Sequence, residues 1–212
     1  MSERYFGTAR REILPWLPQR VERMLDLGCG SGATVAMVRE RRKVAWAGGV
    51  EFVASEAARA QAVCERVWSI DVEREAFERE IPEGTLDLVL CLDVLEHLVD
   101  PWTVVKRLSP LLRPGGRLIV SVPNIRNWKF ISGLLLRGDF RYREAGLLDR
   151  THLRFFTADT AIELATCGGL RLAASVGQPL LSFPDARWFL SRLTFRAADA
   201  LLAKQCLVIS EV

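Results

Sequence analysis

The stretch Met24-Leu25-Asp26-Leu27-Gly28-Cys29-Gly30-Ser31-Gly32 constrains the fold of this chain more than any other. An apolar run that ends in three glycines at every second position reads as strand, tight turn, helix. Gly28, Gly30 and Gly32 permit positive φ and let a ligand approach the backbone closely, and the Ala/Val/Met pattern from Ala33 to Val38 starts a helix. Such a turn binds a nucleotide-type ligand. By spacing alone, Gly28-x-Gly30-x-x-Ala33 also fits a dinucleotide fingerprint, with Glu51 at about the distance of a ribose-binding acid, so an NAD-type oxidoreductase is one reading.

Asp26 discriminates. A carboxylate at the last turn-facing position of the strand repels a pyrophosphate and suits a cofactor that carries an ammonium and a sulfonium group instead. The string DLGCGSG resembles the glycine-rich first motif of the class I S-adenosylmethionine-dependent methyltransferases, and LDLVLCLDVLEHL resembles the segment around the fourth strand of that class. The resemblance covers roughly Arg23 to Phe156. It implies S-adenosyl-L-methionine as cofactor and S-adenosyl-L-homocysteine as product, with Asp26, Gly28, Cys29, Gly30 and Gly32 around the amino-acid portion. It also implies that Asp71 with Val72 recognises the adenine amino group, and that Phe52, Leu92, Asp93 and His97 belong to the cofactor site. Glu51, just past a strand end, can reach the same crevice and accept hydrogen bonds from two ribose hydroxyls, or else cap the next helix. Asp93 and His97, four apart, can face one way on a helical turn; His97 can equally be a structural histidine bonded to backbone.

At 212 residues and 50% hydrophobic content the chain is expected to form one domain, 1–212, with a core that needs no staples. No basic, apolar leader and no apolar run of membrane-spanning length is visible, so a cytoplasmic protein without a transmembrane segment is expected. Five scattered cysteines lack ligand spacing and read as reduced thiols; no metal is expected. A net charge of +3 is too small to argue for nucleic acid. Residues 1–20 carry a short helix, Thr8 to Leu14, stopped by Pro15 and Pro18. In the resembled family such a helix lies over the cofactor as a lid, where Tyr5 or Arg10 faces the cofactor carboxylate; the alternative is plain packing. Strands are expected at Val44–Val50, Arg66–Ile70, Leu86–Cys91, Arg117–Val122, Leu170–Val176 and Cys206–Ser210. Helices are expected at Val53–Val63, Trp102–Leu112 (ended by the turn Arg113–Gly116), Thr157–Cys167 and Arg187–Ala203. This alternation gives an α/β, doubly wound, Rossmann-like sheet with helices on both faces. The resemblance places the last of the seven strands, Cys206–Ser210, antiparallel beside the fifth and sixth. The Trp188/Phe189/Leu190 face of the final helix packs on the core, or, if uncovered, makes a homodimer contact or meets a lipid-linked acceptor.

Residues 123–156 form a long acceptor-side insertion rich in aromatics and arginine. From Asn124 to Phe156 there are seven basic residues against three acids, a surplus of four that exceeds the net charge of the whole chain. A long connection that carries the charge surplus suits a lid or acceptor site. Asn124, Trp128, Arg150 and Arg154 are the candidate acceptor contacts, the arginines holding an anionic group. A hydroxyl acceptor must lose a proton, and of the two histidines His152 is the preferred base, oriented by Asp149; a carboxylate acceptor would need no base. GLLDRTHLRFFT resembles a subgroup of bacterial methyltransferases for sugars, cell-surface polysaccharides and quinone-type small molecules. The expected function is methyl transfer to oxygen of a small, anionic acceptor such as a sugar derivative; a non-catalytic cofactor-binding scaffold is the alternative.

Overall fold

The alternation of side chains along strands buried on both faces decides the layering of the molecule. In a computed structural model, which describes residues 7–178 and 199–212, the strands are Arg23–Leu27 (β1), Trp46–Val50 (β2), Arg66–Trp68 (β3), Leu86–Leu92 (β4), Leu112–Pro123 (β5), Arg171–Gln178 (β6) and Gln205–Glu211 (β7). They form one sheet in the order β3-β2-β1-β4-β5-β7-β6. The first five run parallel, and β7 lies antiparallel between β5 and β6. Leu25, Leu27, Val89, Cys91, Leu118 and Val120 point to one face, Met24, Leu88, Leu90 and Ile119 to the other. The first face is covered by the helices Pro101–Leu108 (α3) and Ala158–Thr166 (α5), through Val104, Val105, Leu108, Ala161 and Leu164. The second is covered by Ala33–Arg41 (α1) and Ala54–Ala60 (α2), through Val35, Val38 and Ala60. Each leucine fully withdrawn from water in these layers stabilises the fold by about 1.5–3 kcal/mol. Strand order reverses between β1 and β4, which opens a crevice at their carboxyl ends.

Several elements depart from the sequence expectation for local reasons. The N-terminal helix is a 3-10 turn at Arg11–Trp16 that contains Pro15 rather than stopping at it. Helix α3 starts one residue early, because Asp100 caps it by accepting the Thr103 N–H at 3.1 Å and Pro101 fits the first turn. It ends at Leu108, since Pro110 has no N–H for the helix ladder, and Ser109–Leu111 tightens into a 3-10 turn. Arg113–Gly116 is not a turn between elements but an irregularity inside β5, where pairing with β4 jumps from Leu86↔Leu112 to Leu88↔Arg117. The 123–156 connection holds an unexpected helix, Trp128–Arg137 (α4), capped by the Asn127 side chain and closed by Gly138 at φ +62°. Thr157 caps α5 as expected, in a reciprocal pair with Thr160. The expected helix Arg187–Ala203 lies mostly outside the described residues; its described end, Asp199–Leu202, is α-helical. No helix among the described residues is long and apolar enough to cross a membrane.

Asp87 ties the bulged edge together. Its carboxylate accepts the Glu22 and Arg23 N–H groups, both at 2.8 Å, and Arg113 Nε at 2.5 Å. Burial alone would raise its pKa, but the Arg23 N–H, the Arg113 guanidinium and the Glu22 N–H outweigh it and hold the group below the usual carboxylate range. Its stabilisation is therefore complete above the ordinary carboxylate pKa and is lost as pH falls through the lower folded value. Asp87→Asn should cost about 1–3 kcal/mol in thermal or denaturant unfolding at neutral pH, with the gap to the parent protein closing in acid.

Candidate active site

The glycine turn is pinned to the end of β2. Gly28 and Cys29 donate their N–H groups to the Val50 carbonyl at 2.8 and 3.1 Å, and Gly30 donates to Glu51 Oε2 at 2.9 Å. Gly28, Gly30 and Gly32 have φ of +73°, +54° and +84°, the left-handed region the sequence anticipates. Space enforces glycine as well: a Cβ on Gly32 would lie 2.3 Å from Val63 Cγ2. Cys29 is buried, and that burial pushes its thiol pKa far up, so it is packing rather than chemistry.

Against this turn lies a cavity of about 640 Å³ at the carboxyl ends of the central strands. Five acids line it, Asp26, Glu51, Asp71, Glu73 and Asp93, between apolar walls that include Ile70, Val72, Leu92 and Leu98. Glu51 is buried; its Oε1 accepts the Val53 N–H at 2.8 Å, so each oxygen holds one backbone donor and retains a lone pair. Asp26 is 3% exposed, and burial, followed by the charge of Glu51, raises its pKa to about 7 against the opposing pull of Arg10. Asp71 accepts the Glu73 N–H at 3.0 Å and pairs with Arg74 at 3.2 Å. Phe52 lines the same cavity and is 74% exposed, at its opening.

Asp93 is not on a helical turn with His97: its φ is +55°, and only Leu95–His97 forms a 3-10 turn. Four groups hold this residue, one at its backbone and three at its side chain. Its N–H donates to the Ser121 carbonyl at 2.9 Å, and its carboxylate accepts Ser121 Oγ at 2.9 Å, Gln205 Nε2 at 2.7 Å and Arg10 Nη1 at 2.5 Å. Thr8 and Arg10 line the cavity, as a lid segment would; Tyr5 lies outside the described residues.

His97 and Thr151 form the edge of the cavity, whereas His152 is buried behind them. The two imidazoles meet edge to face at a centroid distance of 4.8 Å. His97 Nδ1 faces the Thr151 carbonyl at 3.2 Å and His152 Nδ1 faces the Leu147 carbonyl at 3.0 Å. The Asp149 carboxylate, expected to orient His152, accepts the Thr151 N–H at 2.8 Å and hydroxyl at 2.6 Å, because it sits at the start of the turn that Thr151 continues, and its charge also acts on the His152 and His97 rings. The acid beside His152 is Glu96, with Oε1 3.9 Å from Nε2. Arg150 is exposed and pairs with Glu144 at 3.2 Å. Arg154 donates to the Val99 carbonyl and lies over the Trp102 ring. Neither Asn124 nor Trp128 lines the cavity. Asn124 is buried and donates to the Ala203 carbonyl at 3.0 Å, and Trp128, half exposed, opens α4. Sequence reasoning passed over Glu96, Ser121, Gln205 and Thr34, the last a cavity-lining residue whose hydroxyl accepts the Arg10 N–H at 3.3 Å. Of these only Glu96 carries a signal, a second acid three residues after Asp93 and next to His97.

The cavity suits S-adenosylmethionine on charge: five carboxylates face it against Arg10 and His97, a setting that attracts a cation with free hydroxyls and repels a diphosphate. Ionised Asp26 favours the cofactor cation, so affinity should rise with pH through about 7, the value of its raised pKa. Calorimetric titration at about pH 6 and about pH 8 should show that rise. Asp26→Asn should flatten it and weaken binding at the higher pH by about 1–3 kcal/mol.

Residues 1–174 match the family model described as "Methyltransferase domain". The chain is 31% identical over 170 residues to the ubiquinone biosynthesis O-methyltransferase of Bradyrhizobium sp. (strain ORS 278), a match that takes in 80% of this chain and 66% of that protein. It is 32% identical over 110 residues to the 27-O-demethylrifamycin SV methyltransferase of Amycolatopsis mediterranei (strain S699), 48% of this chain and 39% of that one. The chain thus spans at most about two thirds of the length of these curated relatives. Among solved structures, a SAM-dependent methyltransferase from Archaeoglobus fulgidus superposes with a TM-score of 0.67 at 15% identity, covering 100% of this chain and 95% of the other. One from Mesorhizobium loti gives 0.63 at 15%, covering 98% and 100%. At that identity these two attest the fold. With the family match running through the glycine turn, the acid-lined cavity and the His152 segment alike, the chain belongs to the S-adenosylmethionine-dependent methyltransferases, and S-adenosylmethionine is its cofactor.

Proposed function

We propose that the chain is one methyltransferase domain that methylates a hydroxyl oxygen of a small, anionic acceptor. The observation that carries this reading is the change of chemistry along the cavity edge: acids line the cofactor side, while the residues flanking Thr151 belong to the segment with the basic surplus. Two relatives, the ubiquinone biosynthesis O-methyltransferase and the 27-O-demethylrifamycin SV methyltransferase, are named for methylation at oxygen, which supports the same choice here.

In this reading Glu51 holds the ribose hydroxyls, Asp71 and Val72 the adenine, and Asp26 with the Gly28–Gly32 backbone the amino-acid portion; Phe52, Leu92, Asp93 and His97 complete the wall. The cofactor supplies a methyl group already activated by its sulfonium. The protein's task is then to align the acceptor oxygen, to exclude water and to manage the acceptor's proton. His97 meets the acceptor at the cavity edge, and His152 and Glu96 stand behind it, so this group of three replaces an Asp149–His152 pair as the unit that handles the proton. Burial, and then the neighbouring His152, lower the pKa of His97, which keeps its ring neutral and able to act at neutral pH. Arg150 faces solvent beside this edge and offers its guanidinium to an acceptor carboxylate or sulfate.

Incubation with isotopically labelled S-adenosylmethionine and a panel of anionic sugars and hydroxybenzoates tests the reading. Label should appear as an O-methyl product of at least one panel member. Label only on nitrogen, or none with cofactor binding intact, would overturn it. Arg150→Ala should lower kcat/KM for the active acceptor by about tenfold, the loss of one charge-assisted contact, and leave cofactor affinity unchanged.

A further inference from the structure

The cavity wall that the proposed function gives to adenine includes Ile70, Asp71, Val72 and Leu98. Asp71–Glu75 belong to no helix or strand, and the turn they make is anchored from outside. Arg107 of α3 donates to the Val72 carbonyl at 2.8 Å and to the Glu75 carbonyl at 2.5 Å. Glu73 supplies the second anchor. It lines the cavity, yet its carboxylate is committed to backbone: Oε2 accepts the Val99 N–H at 3.0 Å and Oε1 the Asp100 N–H at 2.7 Å.

The peptide between Val99 and Asp100 is therefore gripped at both ends. Its N–H is held by Glu73, while its carbonyl accepts Arg154 Nε at 3.0 Å and a second bond from Arg154 Nη2. In a planar trans peptide these two groups point opposite ways, so the carboxylate and the guanidinium stand on opposite sides of the chain. Both bonds are charge-assisted, and each polarises the peptide in the sense that strengthens the other. Packing does not hold this stretch, because the Val99 side chain is 60% exposed. Arg154 is itself fixed: its N–H donates to the Glu96 carbonyl at 3.0 Å, and its guanidinium lies over the Trp102 ring, 5.7 Å from the centroid. To reach an acceptor it would have to release the Val99 carbonyl and the ring together.

We infer that Arg154 is a positioning residue for the cofactor and not an acceptor ligand: acting through the Val99–Asp100 peptide and Glu73, it fixes the turn that carries Asp71 and Val72. The inference rests on the placement of adenine against those two residues. It joins the basic segment after β5 to the adenine wall by one line of hydrogen bonds, so a change at Arg154 is read as a change in cofactor affinity. By linkage, a cofactor seated on the wall steadies Arg154 and its neighbours in return.

The test is calorimetric titration of the full chain with S-adenosylhomocysteine and with methylthioadenosine, a neutral probe that keeps the adenosine and lacks the amino-acid portion. Arg154→Ala should weaken both ligands by the same factor, about fivefold, as expected for coupled neighbours. Arg154→Lys, which keeps one charged donor, should lose less, and it carries the test if the alanine variant does not fold. Glu73→Gln should also weaken both. The double variant should bind no more weakly than the weaker single one, because the two side chains act on one peptide. Unchanged affinity in Arg154→Ala, or losses that simply multiply in the double variant, would overturn the inference. Asp71→Ala separates the two readings. If it leaves methylthioadenosine binding unchanged, the adenine placement is wrong and the inference falls with it. If it weakens that binding while Arg154→Ala does not, the placement stands and the inference alone falls.

Discussion

A single buried carboxylate couples the two halves of the cofactor crevice. Glu51 stands at the end of β2, yet its Oε2 holds the Gly30 N–H of the turn that follows β1, and its Oε1 holds the N–H of Val53 at the entry to α2. The Val50 carbonyl adds two more bonds to the same turn. The glycines can adopt left-handed backbone without strain, but freedom alone does not choose one conformation; these bonds from the neighbouring strand do. Because the anchoring group is itself charged and lines the cavity, the interaction that shapes the turn also sets the field a ligand meets. The raised pKa of Asp26 follows in part from that second charge.

The molecule separates its electrostatics along the chain. Cofactor-side acids come from strand ends β1 to β4, where parallel strands all deliver their carboxyl ends to one edge. The basic residues come from the connection after β5, largely on α4 and the loop that follows. A cationic cofactor is thereby drawn to the acidic strand ends and away from the basic segment. Aromatic packing gives this basic segment an order that charge alone would not: Phe140 meets Phe130, Tyr142 and Phe155 at 5.6, 5.9 and 6.1 Å between ring centroids.

What was legible in the sequence lay within short windows. Asp26, Glu51 and Asp71 are acids at the ends of apolar runs, and their convergence follows from the rule that parallel strands bind ligands at their carboxyl ends. The irregular β5 was not legible, because Pro114-Gly115-Gly116 carries the composition of a turn and only pairing with β4 makes it strand. The grip on Asp93 was not legible either: Arg10, Ser121 and Gln205 come from three distant parts of the chain. His152 was visible as a candidate, but its neighbour Glu96 is supplied by the turn after β4, and proximity in sequence favoured Asp149 instead.

The placement of β7 bears on how the molecule is assembled. It is the last of the seven strands to be synthesised, yet it sits inside the sheet and joins β5 to β6. Until it arrives, β6 has no partner in the sheet, β5 presents an open edge, and Asp93 lacks the donor that Gln205 provides. A chain emerging from the ribosome therefore passes through a state in which β1 to β5 can pair while the crevice is unfinished, and that state carries an exposed, apolar strand edge prone to association. The last donor to Asp93 and the cover for the β5 edge are thus supplied together by one strand.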